Sequence, residues 1–448
     1  MKKDTSIFDY EMDETQEEYA ERISKIIGKQ KGKSYLPKLE IPDGLSSAEY
    51  FEKAVYEKAK EKYAEIAEEI KSRIDHEIKV YKKLKYIDYV LAFSELISYL
   101  KQCGAELTIA GPQCGSIVNY LLGITDIDPL KHGLVFERYI NANEPFNPRC
   151  PYYFLYVDSK NKEKIIRTIK KKYGKYSLLK PRQVWKDLEK YCYILGENLE
   201  ELDIYDEDMK HQKKCLLSTR QAEDIGLFVI NIYTEKHLDI LAECKEKIKT
   251  ELEFDLDKCD DEKTWEYISS GEFTNPEFKK RRTKEADELI KLIFKGRYTA
   301  KLSNLEELSE FVSIGGFGSG RPPERFIDAY KLYKSLIPQE KLIYQEDCLT
   351  ITQKMTKWSL EFCEEFRNAT GRHKRCEIIK QKFVEDSVKN GYTEEYAREV
   401  LEELWHTVPY IRTKSWTIFY AFNLYKLAYI SLHYPELYAE VVEKYKTI

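Results

Sequence analysis

Several short runs in this 448-residue sequence carry residue types capable of chemistry. Gly315-Gly316-Phe317-Gly318-Ser319-Gly320-Arg321 is glycine-rich enough to wrap a phosphate. It lacks the Lys-Ser/Thr ending and the preceding strand of a P-loop, so it reads as a hinge or connector. A second loop, Ala110-Gly111-Pro112-Gln113-Cys114-Gly115-Ser116, runs straight into the apolar segment SIVNYLLGI. Gly115 and Ser116 therefore stand at a helix start, where free N–H groups can hold phosphate or where Ser116 can serve as an N-cap. No arginine lies in the loop, and Pro112 has no N–H to offer. Basic clusters at Lys279-Lys280-Arg281-Arg282 and Lys170-Lys171-Lys172 suit phosphate contact, although such runs are commonly solvated faces. The 10 cysteines include no CxxC pair and read as reduced thiols, not as a metal or disulfide framework.

The elements that must position these residues are mostly helices. From Tyr50 to about Gln102, apolar residues recur at three- and four-residue spacing, as in IKVYKKLKYIDYVLAFSELISYL. ELTIAGPQCGS begins as a short strand. The run from Tyr152 to Val157, aromatic and β-branched without a charge, is the strongest strand signal, and the basic helix KNKEKIIRTIKKKYGK follows it. GLFVINIY is a second strong strand, and from Leu238 onward the pattern is almost entirely helical. The expected fold class is α+β, mainly helical, with a small sheet near the middle of the chain.

Composition is that of a globular protein, 42% hydrophobic and 34% charged. With Lys+Arg 73 against Asp+Glu 78 the net charge is −5, which excludes a wholly basic nucleic-acid coat but not a local basic groove. No run approaches the ~18 uninterrupted apolar residues of a membrane span. The N-terminus turns acidic after Lys2 and Lys3, unlike a secretory signal. A cytoplasmic protein with no membrane partner is expected.

Longer blocks carry a resemblance. Gly115-Ser116 followed by NYLLGITDIDPLKHGLVFERYIN resembles the palm segment of the C-family polymerases, the α subunit of bacterial DNA polymerase III. LPKLEIPDGLSSAEYF and EIKVYKKLKYIDYVLAFSELISYLKQCG are similar to the segments that lead into that palm. HLDIL, then LDKCDDEKTWEYISSGEF, resembles the second palm strand and the start of the fingers. YQEDCLTITQKMTKWSLEFCEEFRNATGRHK and RTKSWTIFYAFNLYKLAYISLHYP resemble the two long fingers segments. The resemblance implies a leader at 1–33, palm at 34–174 and 217–244, a reduced thumb at 175–216, and a large helical fingers domain at 245–448 around a small nucleotidyltransferase-like palm sheet.

It also implies a chemistry that the residues do not match. Nucleotidyl transfer uses two divalent metals clamped by carboxylates on adjacent strands, and Mg²⁺ prefers hard oxygen ligands. In the family, two aspartates alternate along one strand after a proline. Here the acidic positions fall on Tyr152, Phe154 and Tyr156, none of which binds Mg²⁺ at neutral pH. Asp158 has the right parity but lies ~13 Å along the strand from Phe154. A third family acid survives as Asp239, whose alternative reading is a strand-end or solvated carboxylate. In the fingers, Arg367 and Arg372 stand where the family places basic residues toward nucleotide and template, and the arginine's pair partner is Asn368. Lys414-Ser415 persists, but the histidine expected next is Trp416, which either stacks on a base or fills the space of an absent nucleotide.

Two functions are weighed. One is a polymerase-derived protein that has lost catalysis and binds DNA, as primer–template or single strand, or replication proteins. It needs no cofactor and holds no metal. The other is a working DNA-directed polymerase subunit with a rebuilt or shared Mg²⁺ site. A decayed remnant is a third possibility, against which the intact amphipathic helices speak.

Overall fold

The structure, a computed structural model, describes residues 21, 24–25, 35–42, 44–143, 151–174, 178–179, 190–197, 199–202, 205–207, 213–215, 217, 219–224, 226–248, 252–270, 273, 302–314, 342–370 and 376–446. The leader 1–33, apart from 21, 24 and 25, lies outside them. So do Lys279–Arg282, the loop 315–321 and Arg372.

Helix α1 (Ser47–Lys62) starts at Ser46, whose hydroxyl accepts from Glu49 N while Glu49 reaches back to the Ser46 N–H. Helix α2 (Glu68–Leu84) stops where Lys85 turns left-handed at φ 59°. Helix α3 (Ile87–Gln102) buries Val90, Phe93, Leu96, Ile97 and Leu100 on one stripe. A short strand β1 (Thr108–Ile109) and the one-turn helix α4 (Ile117–Leu121) follow. Strand β2 (Tyr153–Val157) leads through its N-cap Asp158 into α5 (Ser159–Tyr173). Beyond it come β3 (Leu178–Leu179), β4 (Lys190–Leu195), the hairpin β5 (Tyr205–Glu207) and β6 (Lys213–Cys215), α6 (Thr219–Asp224) and β7 (Phe228–Thr234).

The main sheet has the order β1-β2-β7-β4-β3. Its central pair, β2 and β7, runs parallel and every other pair is antiparallel. Parallel strands need a crossover, and the chain between Asp158 and Leu227 supplies it. Part of the segment expected as a separate thumb, 175–216, thus builds the sheet itself, because β4 lies directly against β7.

The inner face of the sheet, with Tyr153, Leu155, Val157, Ile230 and Ile232, packs against α1–α3 in the largest core. After β7 the described elements are mainly helices: α7 (Lys236–Lys247), α8 (Glu262–Ser270), α9 (Leu305–Ile314), α10 (Gln345–Thr356), α11 (Leu360–Thr370), α12 (Cys376–Lys389), α13 (Glu394–Thr407), α14 (Lys414–His433) and α15 (Pro435–Lys446). Helices α10–α13 form a core of their own around Phe366 and Phe383. The segment HLDIL, expected as a strand, is the first half of α7. His237, Ile240, Leu241 and Cys244 are buried at helical spacing, and the strand ends before them at Thr234. The architecture is α+β and mainly helical, and among the described residues no helix is long and apolar enough to cross a membrane.

Candidate functional site

The outer face of the sheet is where the carboxylates of a two-metal site would stand. Phe154 faces Asn231 across the parallel pair, and Tyr156 faces Tyr233. The Tyr156 and Tyr233 rings stack at 5.1 Å, Phe154 meets Tyr233 edge-on at 5.6 Å, and Tyr152 lies 5.3 Å from Phe154. Helix α14 covers this surface. Phe419 sits 4.8 Å from Tyr156, and Trp416 packs on Tyr420 at 3.9 Å with the Arg412 guanidinium 4.8 Å from the indole. Helices α8 and α9 complete the cluster through Trp265, Leu308 and Val312.

The donors here do not suit Mg²⁺. Burial first, and then the negative charge of Glu235, push the Tyr156 phenol further above its ordinary range, so it stays protonated. Asn231 is buried and neutral, its amide oxygen 3.0 Å from Cys192 Sγ. The carboxylate that reaches this cluster, Glu235, accepts from the Tyr420 hydroxyl and lies 3.2 Å from His237 Nδ1. One carboxylate already bonded to a phenol and an imidazole is far from the set of hard oxygens that two Mg²⁺ ions require.

Asp239, expected at a strand end, stands in the first turn of α7. Its oxygens accept from Ser159 N at 2.6 Å and Ser159 Oγ at 3.1 Å. Asp158 is spent at the same helix start. It accepts from Lys160 N at 2.9 Å, Asn161 N at 3.0 Å and Asn161 Nδ2 at 2.6 Å. Both acids neutralise the N-terminal dipole of α5. Neither is offered to the outer face.

The loop expected to cradle phosphate is filled from within. Ser116 is fully buried and caps α4 by accepting from Asn119 N at 3.1 Å. The buried carboxylate of Glu77, on α2, takes the N–H groups of Ile117 at 3.0 Å and Val118 at 3.1 Å and the Ser116 hydroxyl at 2.7 Å. Arg73 Nε closes the pair at 2.7 Å. An anion thus occupies the helix start, and it belongs to the protein. Gly115 is held by packing, because a Cβ there would lie 2.6 Å from Val135 O. At Gly111, φ is +110°, and a Cβ would lie 3.2 Å from the Phe154 ring.

The fingers residues are similarly committed. Arg367, expected to point at a nucleotide, makes a two-pronged pair with buried Glu364 at 2.7 and 2.8 Å and also donates to Asn368 Oδ1. Lys414 Nζ pairs with Glu306 at 3.1 Å. Ser415 Oγ donates to Gly111 O at 2.7 Å, pinning the start of α14 to the cradle loop. Trp416, half-buried on Tyr420, fills space beside the sheet. Lys172, of the second basic cluster, pairs with Glu95 at 2.6 Å, while Lys170 and Lys171 are exposed.

Three important residues escaped the sequence reading: Glu77, Asn231 and Glu235. Glu77 carried a signal, being a charge on the apolar stripe of Ile74, Ile78 and Tyr81. Asn231 carried another, as the one polar residue within FVINIY.

The site is thus a small mixed sheet with a Gly-Ser loop at its edge and a long helix laid across its outer face. Residues 49–214 match the family model of the bacterial DNA polymerase III alpha NTPase domain. The DNA polymerase III subunit alpha of Aquifex aeolicus is 22% identical over 89% of this chain and 44% of its own length. That of Staphylococcus epidermidis is 23% identical over 91% of this chain and 46% of its own, and a Staphylococcus aureus subunit gives the same figures. The chain is thus similar to DNA polymerase III α subunits along most of its length, and it spans a little under half the length of these relatives.

Proposed function

We propose that this chain has given up nucleotidyl transfer and acts in the cytoplasm, in DNA replication, by binding primed or single-stranded DNA. The observation that carries the reading is the aromatic outer face, where Tyr156, Tyr233 and Phe419 form one packed cluster in place of a pair of acids. Glu77 in the phosphate cradle and Glu364 on Arg367 support it independently, since each removes a group that a triphosphate would need. Support for DNA as ligand comes from the relationship to the α subunits and from the exposed Arg167, Lys170 and Lys171 along α5.

The test uses purified protein, a primed template, four dNTPs and Mg²⁺. No incorporation is expected, together with a mobility shift that weakens steeply as salt rises. Incorporation abolished by Asp239→Ala would overturn the loss of catalysis and favour a rebuilt or shared metal site. Absence of any shift at low ionic strength would replace DNA with a replication protein as the partner.

A further inference from the structure

Away from the outer face, three side chains from distant parts of the sequence converge where α2 and α11 meet. They are His76 on α2, Glu137 in the turn Phe136–Arg138, and Glu361 in the first turn of α11. Each offers one ligand atom, and the three atoms lie within 4.8 Å of one another. Donors that share one first-row cation at bonds of about 2.0–2.2 Å lie roughly 3–4.4 Å apart, so a small contraction would close the set. His76 Nε2 and Glu137 Oε1 are already 2.9 Å apart. The His76 ring is steadied edge-on against Phe136 at 5.8 Å. The backbone under Glu361 is fixed too, because its carbonyl accepts from Asn141 Nδ2 at 2.8 Å.

Glu137 supplies a second and independent observation. It is 5% exposed, and its Oε2 is buried with no hydrogen-bond partner. A carboxylate oxygen in that condition costs stability unless a cation reaches it. The neighbouring cations are engaged elsewhere: Arg73 holds Glu77 at 2.7 Å, and Arg138 reaches Gln345 at 2.9 Å and Glu364 at 3.3 Å. Two carboxylates therefore share a single imidazole, next to a third acid, Glu77, that is already paired.

We propose that His76, Glu137 and Glu361 bind one divalent first-row cation, of which Zn²⁺ suits the donors best. One imidazole nitrogen and two carboxylate oxygens match its borderline preference, and a solvent molecule completes four-coordination on the half-exposed side of His76. The ion would staple α2 and the turn at 136–138 to α11, so its role is to fix the palm against the fingers helices. Without metal, a proton on His76 takes its place. The hydrogen bond to Glu137 raises the imidazole's pKa against the opposing effect of burial, and the charges of Glu137, Glu77 and Glu361 add to the rise. Metal binding therefore displaces that proton and strengthens as pH rises through the imidazole range.

The experiment takes the full chain, stripped with chelator and reduced, and titrates it with Zn²⁺ by calorimetry and with Co²⁺ by absorption. One equivalent should bind and raise Tm. The Co²⁺ spectrum should show d–d bands without the thiolate charge-transfer band that cysteine ligation would give. His76→Ala and the milder Glu361→Gln should each weaken binding at least about tenfold and abolish the Tm shift. Circular dichroism of Glu361→Gln establishes that the loss is not unfolding. Failure of wild type to bind either ion, binding unchanged in both variants, or a thiolate band would each overturn the site.

Discussion

The two faces of the central sheet are packed by different chemistry and to different depth: the inner positions are fully buried, whereas Tyr152, Phe154 and Tyr233 on the outer face are only partly so. On the inner face Tyr153 stacks on Phe93 at 3.7 Å, and Leu155, Ile230 and Ile232 fill the rest with hydrocarbon. On the outer face many contacts are aromatic, and four of the rings keep a hydroxyl: Tyr152, Tyr156, Tyr233 and Tyr420. Their polarity is absorbed at the rim, where Tyr420 donates to Glu235. The contrast teaches how a sheet face can be covered without charged ligands: aromatic bulk stands on the strands, a helix lies over it, and a polar atom is tied at the edge.

Restoring charge should separate the faces most strongly. The double variant Phe154→Asp, Tyr156→Asp places two unpaired carboxylates under α14 and should cost more than about 4 kcal/mol in urea denaturation. If it folds with wild-type stability and takes up Mg²⁺, the outer face is an open site and the contrast is broken. Truncations come next. Phe93→Ala and Phe419→Ala should each cost about 3–5 kcal/mol, because both rings are buried on their respective faces. A much smaller loss for Phe419→Ala would mean that α14 rests on the sheet without packing. Gly115→Ala, which pushes a methyl into Val135 O, should cost about 1–3 kcal/mol.

The smallest effect concerns pH. The Tyr156 phenol is held above its ordinary value, so above about pH 10 the unfolded chain loses this proton while the folded chain keeps it. Stability should fall with rising pH there, by up to ~1.4 kcal/mol per unit from this group. Tyr156→Phe should change stability at pH 7 by less than about 1 kcal/mol and flatten the decline above pH 10, read from urea midpoints across pH. An unchanged slope would put the phenol in contact with solvent.

The sequence made much of this readable, and physical reasons mark where it stopped. Three-and-four spacing placed α1–α3, and charge-free β-branched runs placed β2 and β7. That Tyr152, Phe154 and Tyr156 offer no metal-binding carboxylate could be seen from residue type alone. Pairing could not. That Asn231 stands beside Phe154, or that β4 inserts next to β7, depends on which strands meet, which no local pattern encodes. The same limit hid the partner of Glu77: its place on the apolar stripe marks it as unusual, but only the meeting of α2 with α4 shows what it binds. The resemblance put Asp239 at a strand, whereas the helical pattern from Leu238 onward already agreed with its place in α7.

The hydrogen bond from Ser415 to Gly111 joins positions 304 residues apart, and the aromatic cluster is just as spread along the chain. On a ribosome the sheet can form once β7 has emerged, but its cover cannot. Roughly 180 further residues must be made before α14 begins, on the order of 10–40 s at ~5–20 residues per second. Through that interval the nascent protein would present a sticky ring-lined surface, the kind that chaperones hold and that neighbouring chains seize. An aromatic face whose cover is made this late thus lays a burden on biogenesis.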